Sequence, residues 1–374
     1  ENCLMKIGVP REVKVHEYRV GATPAMVRAL VDAGHRVQME KDAGSKIGYS
    51  DEMYRQAGAE IVATAKEIYQ NEMVIKVKEP QASEFPLMHE GLILFCYLHL
   101  APDPEQTKHL LERKVVGIAY ETVTDEQGRL PMLIPSSEVA GRLSIQAGAT
   151  ALQLANGGRG ILLGGIPGVR AGKVVILGAG VAGTEAMRMA LGLGADVTIF
   201  DRKIPRLREL DLLYAPALET IFSTPTAVEE AVIQADLVVG TVLVPGKKAP
   251  KLVTSAMVKR MKPGAVIVDI SIDQGGCVET SRPTTHSEPT FVHDGVVHYC
   301  VTNMPAACAR TSTQGLTSAT FPYALKIANL GYKKALLQDK GLMEGLNVYR
   351  GKVTNPFVAE DLGYEYHPPR SLLI

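Results

Sequence analysis

The chain has 374 residues, too many for one ordinary hydrophobic core, so two domains are expected. Apolar residues make up 46% and charged residues 21%, as in an ordinary globular protein. Lys plus Arg and Asp plus Glu both number 40, and this balance, with no apolar run as long as a membrane span, argues against a nucleic-acid or membrane protein.

The opening ENCLMKIGVP has no basic segment ahead of an apolar core, so no secretory signal is expected, and Met5 reads as a natural start. The five cysteines, at 3, 96, 277, 300 and 308, lack C-x-x-C spacing and read as reduced thiols of a cytoplasmic protein. Lys6 to Val9 is a short strand, followed by the polar loop PREVKVHEYRVGATP. Thr23 and Pro24 then read as N-cap and first turn of a helix running to Ala33, and His35 to Glu40 returns as a strand. Ser50 caps a helix over 51–57, a further helix is expected over 63–71, and Met73 to Val77 is a strand. Leu92 to Tyr97 and Val115 to Ala119 are strands around a helix at 105–113. Alternating strands and helices predict a parallel sheet covered on both faces, so the first part is an α/β domain of its own. Ser136 to Leu154 reads as a long connecting helix.

The stretch KVVILGAGVAGTEAMRMALGLGADVTIFD follows, from Lys173 to Asp201. An apolar strand runs into Gly178, Gly180 and Gly183, spaced G-x-G-x-x-G, and then into a helix of small residues. The first glycine permits a tight turn, the second lets backbone approach a pyrophosphate, and the third lets helix and strand pack closely. Val181 and Ala182 lie in the same turn, whose N–H groups and dipole suit phosphate. Asp201, 23 residues after Gly178, stands where a carboxylate would hold the ribose hydroxyls of NAD. Arg202 beside it could tolerate a 2′-phosphate, which the carboxylate would repel. Helices over 226–234 and 255–261 then alternate with strands over 237–242 and 265–270. The segment 282–295 reads as a surface loop carrying His286 and His293, too sparse in ligands for a metal site, and the strand 296–301 is expected to close the sheet. Helices over 313–328 and 332–338 are expected to return to the first domain.

Ligands in open α/β sheets bind beyond the carboxyl ends of the strands. The polar residues there are Lys78, His99, Asp201, Asp273 and Asn303. Singly, each has a structural reading as a strand end, core histidine or turn cap; together, beside a dinucleotide fingerprint, they point to chemistry. Arg19, in the first loop, and Lys78 could bind a carboxylate substrate. His99 is the candidate for proton transfer near neutral pH, and Asp273 for positioning water and stabilising developing positive charge.

The segments IGVPRE, EYRV, IKVKEP, LHLA, IAYETV, SEVAGR, GAGVAG, VLVPGKKAPKLV, VDISIDQGGCVET, RPTTH and TNMP, in this order, resemble the NAD-dependent L-alanine dehydrogenases. The resemblance implies two doubly wound α/β domains: a discontinuous catalytic domain over 5–132 and 307–374, and a Rossmann domain over 133–306. It implies reversible oxidative deamination of L-alanine to pyruvate and ammonia, with NAD as cofactor, no metal, and a homohexamer. By motif, Arg19, Lys78 and Asn303 would bind substrate and His99 and Asp273 would be catalytic. Ser137, Gly178, Gly180, Val181, Ala182, Gly183, Asp201, Val242 and Leu243 would line the cofactor site. Ser136 stands where the family usually has methionine, and Ala306 to Arg310 replace its usual G-A-V-P-R. The alternative is the NAD(H)-binding component of a nicotinamide nucleotide transhydrogenase, a binding module that typically lacks counterparts of His99 and Asp273.

Overall fold

The apolar runs of the sequence become strands, most of them parallel and buried, and the segments between them become helices or turns. The computed structural model describes residues 4–244 and 248–374; Cys3 and part of VPGKK lie outside them. The chain forms two compact units, Glu1–Ser136 with Ala309–Ile374, and Ser137–Cys308.

The strands in chain order begin with β1 (Lys6–Val9), β2 (Arg36–Glu40), β3 (Glu60–Val62), β4 (Met73–Ile75), β5 (Ile93–Cys96) and β6 (Val116–Ala119). The middle of the chain supplies β7 (Lys173–Leu177), β8 (Asp196–Asp201), β9 (Leu218–Phe222), β10 (Leu237–Gly240), β11 (Val266–Asp269), β12 (Thr290–His293) and β13 (Val296–Tyr299). The last are β14 (Leu346–Tyr349) and β15 (Lys352–Val353).

The sheet of the first unit runs β15-β14-β6-β5-β4-β1-β2-β3. The six early strands pair in parallel, and β14 and β15 add antiparallel at one edge. Its helices include α1 (Pro24–Asp32), α2 (Asp51–Gln56), α3 (Ala65–Ile68) and α4 (Pro104–Glu112). Thr23, Ser50, Thr64 and Asp103 cap them, each accepting a first-turn N–H. The helix α5 (Ile134–Ala151) spans the sequence boundary between the units.

The sheet of the second unit runs β12-β13-β11-β10-β7-β8-β9, with helices α6 (Val181–Gly192), α7 (Ile204–Tyr214), α8 (Pro225–Gln234) and α9 (Ser255–Arg260). The helices α10 (Ala309–Leu330) and α11 (Tyr332–Gln338) belong to the first unit, as expected. Setting aside the antiparallel edge strands, the units share one strand order: β3-β2-β1-β4-β5-β6 and β9-β8-β7-β10-β11-β13. This is the Rossmann order, with its switch point between β1 and β4 in one unit and between β7 and β10 in the other.

Three expectations are corrected. The segment 282–295 is not all loop, because β12 lies within it and pairs antiparallel with β13, so β13 does not close the sheet. Asp294 and Gly295, both at positive φ (49° and 75°), make the two-residue turn that joins them, a hairpin signal the loop reading passed over. The helix expected over 63–71 is only α3, and it follows a three-residue strand, β3, too short to show alternation. Its start is set by a capping box between Thr64 and Glu67. The reading also passed over α7, β9, β14 and β15.

Candidate functional site

In the second unit, Gly178 leaves β7 at φ 107°, open to glycine at little cost. A Cβ on Gly183 would sit 1.8 Å from the Gly178 carbonyl oxygen, so only glycine lets α6 start this close to the strand. Gly180 is the N-cap of α6 and has no side-chain cap, and a Cβ placed on it meets nothing within 4 Å. The first turn of α6 thus offers N–H groups beside open space, an arrangement that fits the pyrophosphate of a dinucleotide. Val181 and Ala182 form that turn, and Ala182 packs against Gly141 of α5, the helix that carries Ser137.

Asp201, at the end of β8, closes on the same turn. Its Oδ2 accepts from Ala179 N–H at 2.9 Å and its Oδ1 from Lys203 N–H at 2.8 Å. Arg206 of α7 donates to the Ala179 carbonyl at 2.9 Å and to Thr184 Oγ1 at 2.8 Å. Thr241, after β10, donates to the carbonyl oxygens of Leu177 and Gly178 at 2.9 and 3.1 Å, and leads to Val242 and the exposed Leu243.

After β11 the chain turns through residues 270–274, which carry Asp273. Asn303, held at φ 53°, donates its backbone N–H to Asp273 Oδ1 at 3.3 Å, so the structure brings these two together. The buried Asp269 anchors the turn, accepting from the N–H groups of Ser271 and Cys277 and from Ser281 Oγ at 3.1, 3.0 and 2.7 Å. Burial raises its pKa, only partly offset by these donors. Ser271 Oγ donates to the Val242 carbonyl at 2.8 Å, tying this turn to the one after β10.

The switch point of the first unit has no glycine fingerprint and is lined by charge. Arg19, on the loop after β1, is 2% exposed and clasped by Glu17, with Nε and Nη2 donating at 2.8 and 2.9 Å. Burial acts to lower the guanidinium pKa, but the Glu17 contacts outweigh it and the net shift is upward. Lys78 follows β4, and burial with Arg19 nearby pulls its ammonium below the ordinary lysine value. His99 follows β5 at φ 47°, its backbone N–H donating to Glu121 Oε1 at 2.7 Å and its ring stacked 6.0 Å from that of Tyr97. Tyr97 donates to the Met132 carbonyl, and its field also reaches Arg19. Lys78, Arg19 and Tyr97 thus lie within electrostatic reach of one another, with the His99 ring stacked on that of Tyr97.

Sequence reasoning missed the acids that hold these groups, Glu12, Glu17 and Glu121, and Glu84, which pairs with Lys76 behind them. It also missed Lys76, although a lysine inside the buried run MVIKV was a visible signal. Among the described residues no cluster of three or more His, Cys, Asp or Glu could hold a metal ion, and no helix is long and apolar enough to cross a membrane.

A Rossmann-ordered sheet with this glycine turn and an acid at the end of its second strand defines a dinucleotide-binding α/β protein. Two family models cover most of the chain: alanine dehydrogenase/PNT, N-terminal domain, over residues 8–140, and alanine dehydrogenase/PNT, C-terminal domain, over residues 144–356. The chain belongs to this alanine dehydrogenase/PNT family. It is 53% identical to an alanine dehydrogenase of Halomonas elongata, over 99% of this chain and 100% of that one. It is 55% identical to alanine dehydrogenase 2 of Staphylococcus aureus, over 97% of this chain and 98% of that one. A solved L-alanine dehydrogenase superposes with a TM-score of 0.94 at 51% identity, covering 96% of this chain and 99% of that one. A transhydrogenase from Sinorhizobium meliloti, at 23% identity and a TM-score of 0.80 over 94% of this chain and 99% of that one, shares the fold.

Proposed function

We propose that this chain catalyses the reversible oxidative deamination of L-alanine to pyruvate and ammonia with NAD. The observation that carries this reading is the 53–55% identity to alanine dehydrogenases over nearly the whole of both chains. The transhydrogenase likeness, at 23%, speaks only to fold.

In this reading, residues 5–132 with 307–374 form the catalytic domain and 133–306 the NAD-binding domain. Arg19 and Lys78 hold the substrate carboxylate, Arg19 with its fork kept in one orientation by Glu17. His99 exchanges a proton with the amino or carbonyl group, its backbone fixed by Glu121. Asp273 is the second catalytic residue, positioning water and stabilising positive charge as the imine forms, and Asn303 helps hold the substrate. Gly178, Gly180, Val181, Ala182 and Gly183 receive the pyrophosphate and Asp201 the ribose, with Ser137, Val242 and Leu243 lining the remainder. Bound NAD supplies the hydride acceptor. A homohexameric assembly and a cytoplasmic location belong to the same reading.

The test is direct: NADH formation with L-alanine, and NADH loss with pyruvate and ammonium. Absence of turnover in both directions would overturn the proposal.

A further inference from the structure

Behind the candidate substrate side chains of the first unit lies a buried charged cluster to which the reaction above gives no part. Lys76 is 1% exposed, with its ammonium 3.3 Å from the Glu12 carboxylate and 3.8 Å from that of Glu84. Glu84 is held in turn by Tyr69 Oη and Gln81 N–H, at 2.9 and 2.7 Å. Charges this deep carry a large desolvation cost, and apolar residues of similar volume commonly serve stability as well.

The geometry at Lys78 shows what the cluster does. Glu12 Oε1 accepts from the N–H of Lys78 at 2.7 Å and of Val77 at 3.2 Å. Lys76 Nζ donates to the Lys78 carbonyl at 2.7 Å. Both peptide groups flanking the Lys78 Cα are thus tied to a single ion pair. We propose that Glu12, acting with Lys76, is a positioning residue for Lys78: the pair fixes the strand end so that the Lys78 ammonium meets the substrate carboxylate. This rests on the role of Lys78 proposed above.

The groups acting on Glu12 or acted on by it are Lys76, Glu84, Glu17, Arg19, Tyr69, Cys96 and Tyr120. Burial, against the attraction of an ammonium shared with Glu84, pushes the Glu12 carboxyl up to about 7. The clamp therefore weakens as pH falls through neutrality.

The test compares Glu12→Gln, Lys78→Ala and the double variant Glu12→Gln/Lys78→Ala in the full-length protein. The readouts are KM for pyruvate, kcat and NADH affinity, from about pH 6 to pH 8, spanning the Glu12 titration. Glu12→Gln is expected to raise the pyruvate KM about tenfold or more, as a small displacement of a positioned group does. NADH affinity should stay within about twofold, the cofactor turn lying in the other unit. The rise in wild-type KM toward low pH should flatten in Glu12→Gln, and Glu12→Gln should add nothing in the Lys78→Ala background. A wild-type KM in Glu12→Gln alongside a raised KM in Lys78→Ala overturns the positioning role and leaves that of Lys78 standing. A wild-type KM in Lys78→Ala overturns the role of Lys78 and the positioning with it. Additive effects in the double variant reduce Glu12 to a structural residue and also overturn the proposal. If Glu12→Gln fails to fold with Lys76 stranded, Glu12→Gln/Lys76→Met removes both charges and takes its place. If neither folds, Glu12 is a core residue and the proposal fails.

Discussion

Three glycines of one turn and helix separate a dinucleotide site from a merely structural βα turn, because alanine should act differently at each. At Gly183 the new Cβ would lie 1.8 Å from the Gly178 oxygen and 2.8 Å from Thr241 Oγ1, so backbone must move. Overpacking of this kind costs about 1–3 kcal/mol, set against about 0.5–1 kcal/mol gained from alanine's helix propensity. Gly183→Ala should therefore lower stability and, by displacing the turn, weaken NADH binding about tenfold or more. At Gly192, the last residue of the same helix, a Cβ meets nothing within 4 Å, so Gly192→Ala should be neutral or stabilising, by up to about 1 kcal/mol, with NADH affinity unchanged. Gly180 is decisive. Its φ of −74° suits alanine and a Cβ there is likewise unobstructed, so the loss of stability should be only that of alanine at an N-cap, about 0.5–1 kcal/mol. The same methyl group would project where a pyrophosphate approaches the backbone, and NADH affinity should fall about tenfold or more, some 1.4 kcal/mol. Thermal unfolding and NADH fluorescence titration of the three variants read both quantities. A stable Gly180→Ala protein with wild-type NADH affinity would refute the assignment of this turn to the dinucleotide.

His99→Ala should abolish turnover while NADH titration stays near wild type, since the histidine is assigned to substrate; NADH affinity lower by orders of magnitude would show the residue misplaced. Asp201→Ala should reduce discrimination against NADP, measured as the ratio of kcat/KM for the two cofactors, and an unchanged ratio would remove Asp201 from the ribose site. It should also loosen the glycine turn, because the carboxylate accepts from Ala179 N–H. The Lys78 ammonium, with its pKa below the ordinary 10.5, is charged at low pH and loses its proton earlier than a free lysine as pH rises. The pyruvate KM should therefore climb on the alkaline side before 10.5 is reached, and Lys78→Arg, which stays charged, should shift or remove that limb. Identical alkaline profiles in the two proteins would exclude Lys78 as the titrating group.

The parts of the fold legible in the sequence were those with a local signal. The turn from Gly178 to Gly183 carries its strand, glycines and helix within a few residues, and Thr23 and Ser50 announce their helices by capping. β3 and β15 were too short to show a pattern, at three and two residues, and β12 draws its structure from pairing with β13. β14 reads as an apolar strand only once β6 is known to lie beside it, more than 200 positions earlier in the chain. In the candidate site, Lys78, His99 and Asp273 could be marked because each follows an apolar run. Glu12 could not, since it sits in the polar loop after β1 and becomes buried only when the sheet is assembled, whereas Glu121, directly after the run VVGIAY, carried the same signal and was passed over.

These acids share a physical task. Where a chain leaves a sheet it loses the ladder partner for its next backbone N–H, and a group partly withdrawn from water must find another acceptor. Glu12 accepts from Lys78 after β4, Glu121 from His99 after β5, and Asp201 from Ala179 after β7. Asp269 accepts from Ser271, two residues before Asp273, after β11. An ionised carboxylate makes a stronger bond to N–H than a neutral acceptor does, so each strand end is held by its main chain. At Lys78 and His99 the side chain of the residue being held is then left for chemistry, which a side-chain anchor would not permit. The acid lies 66 positions away for Lys78 and 22 for His99, so no short motif contains both partners there, whereas Ala179 and Asp201 share the glycine fingerprint and Asp269 lies two residues from Ser271. On this argument the strand-end side chains and the acids behind them form one functional unit, and replacing an acid should act on the reaction through the backbone it holds.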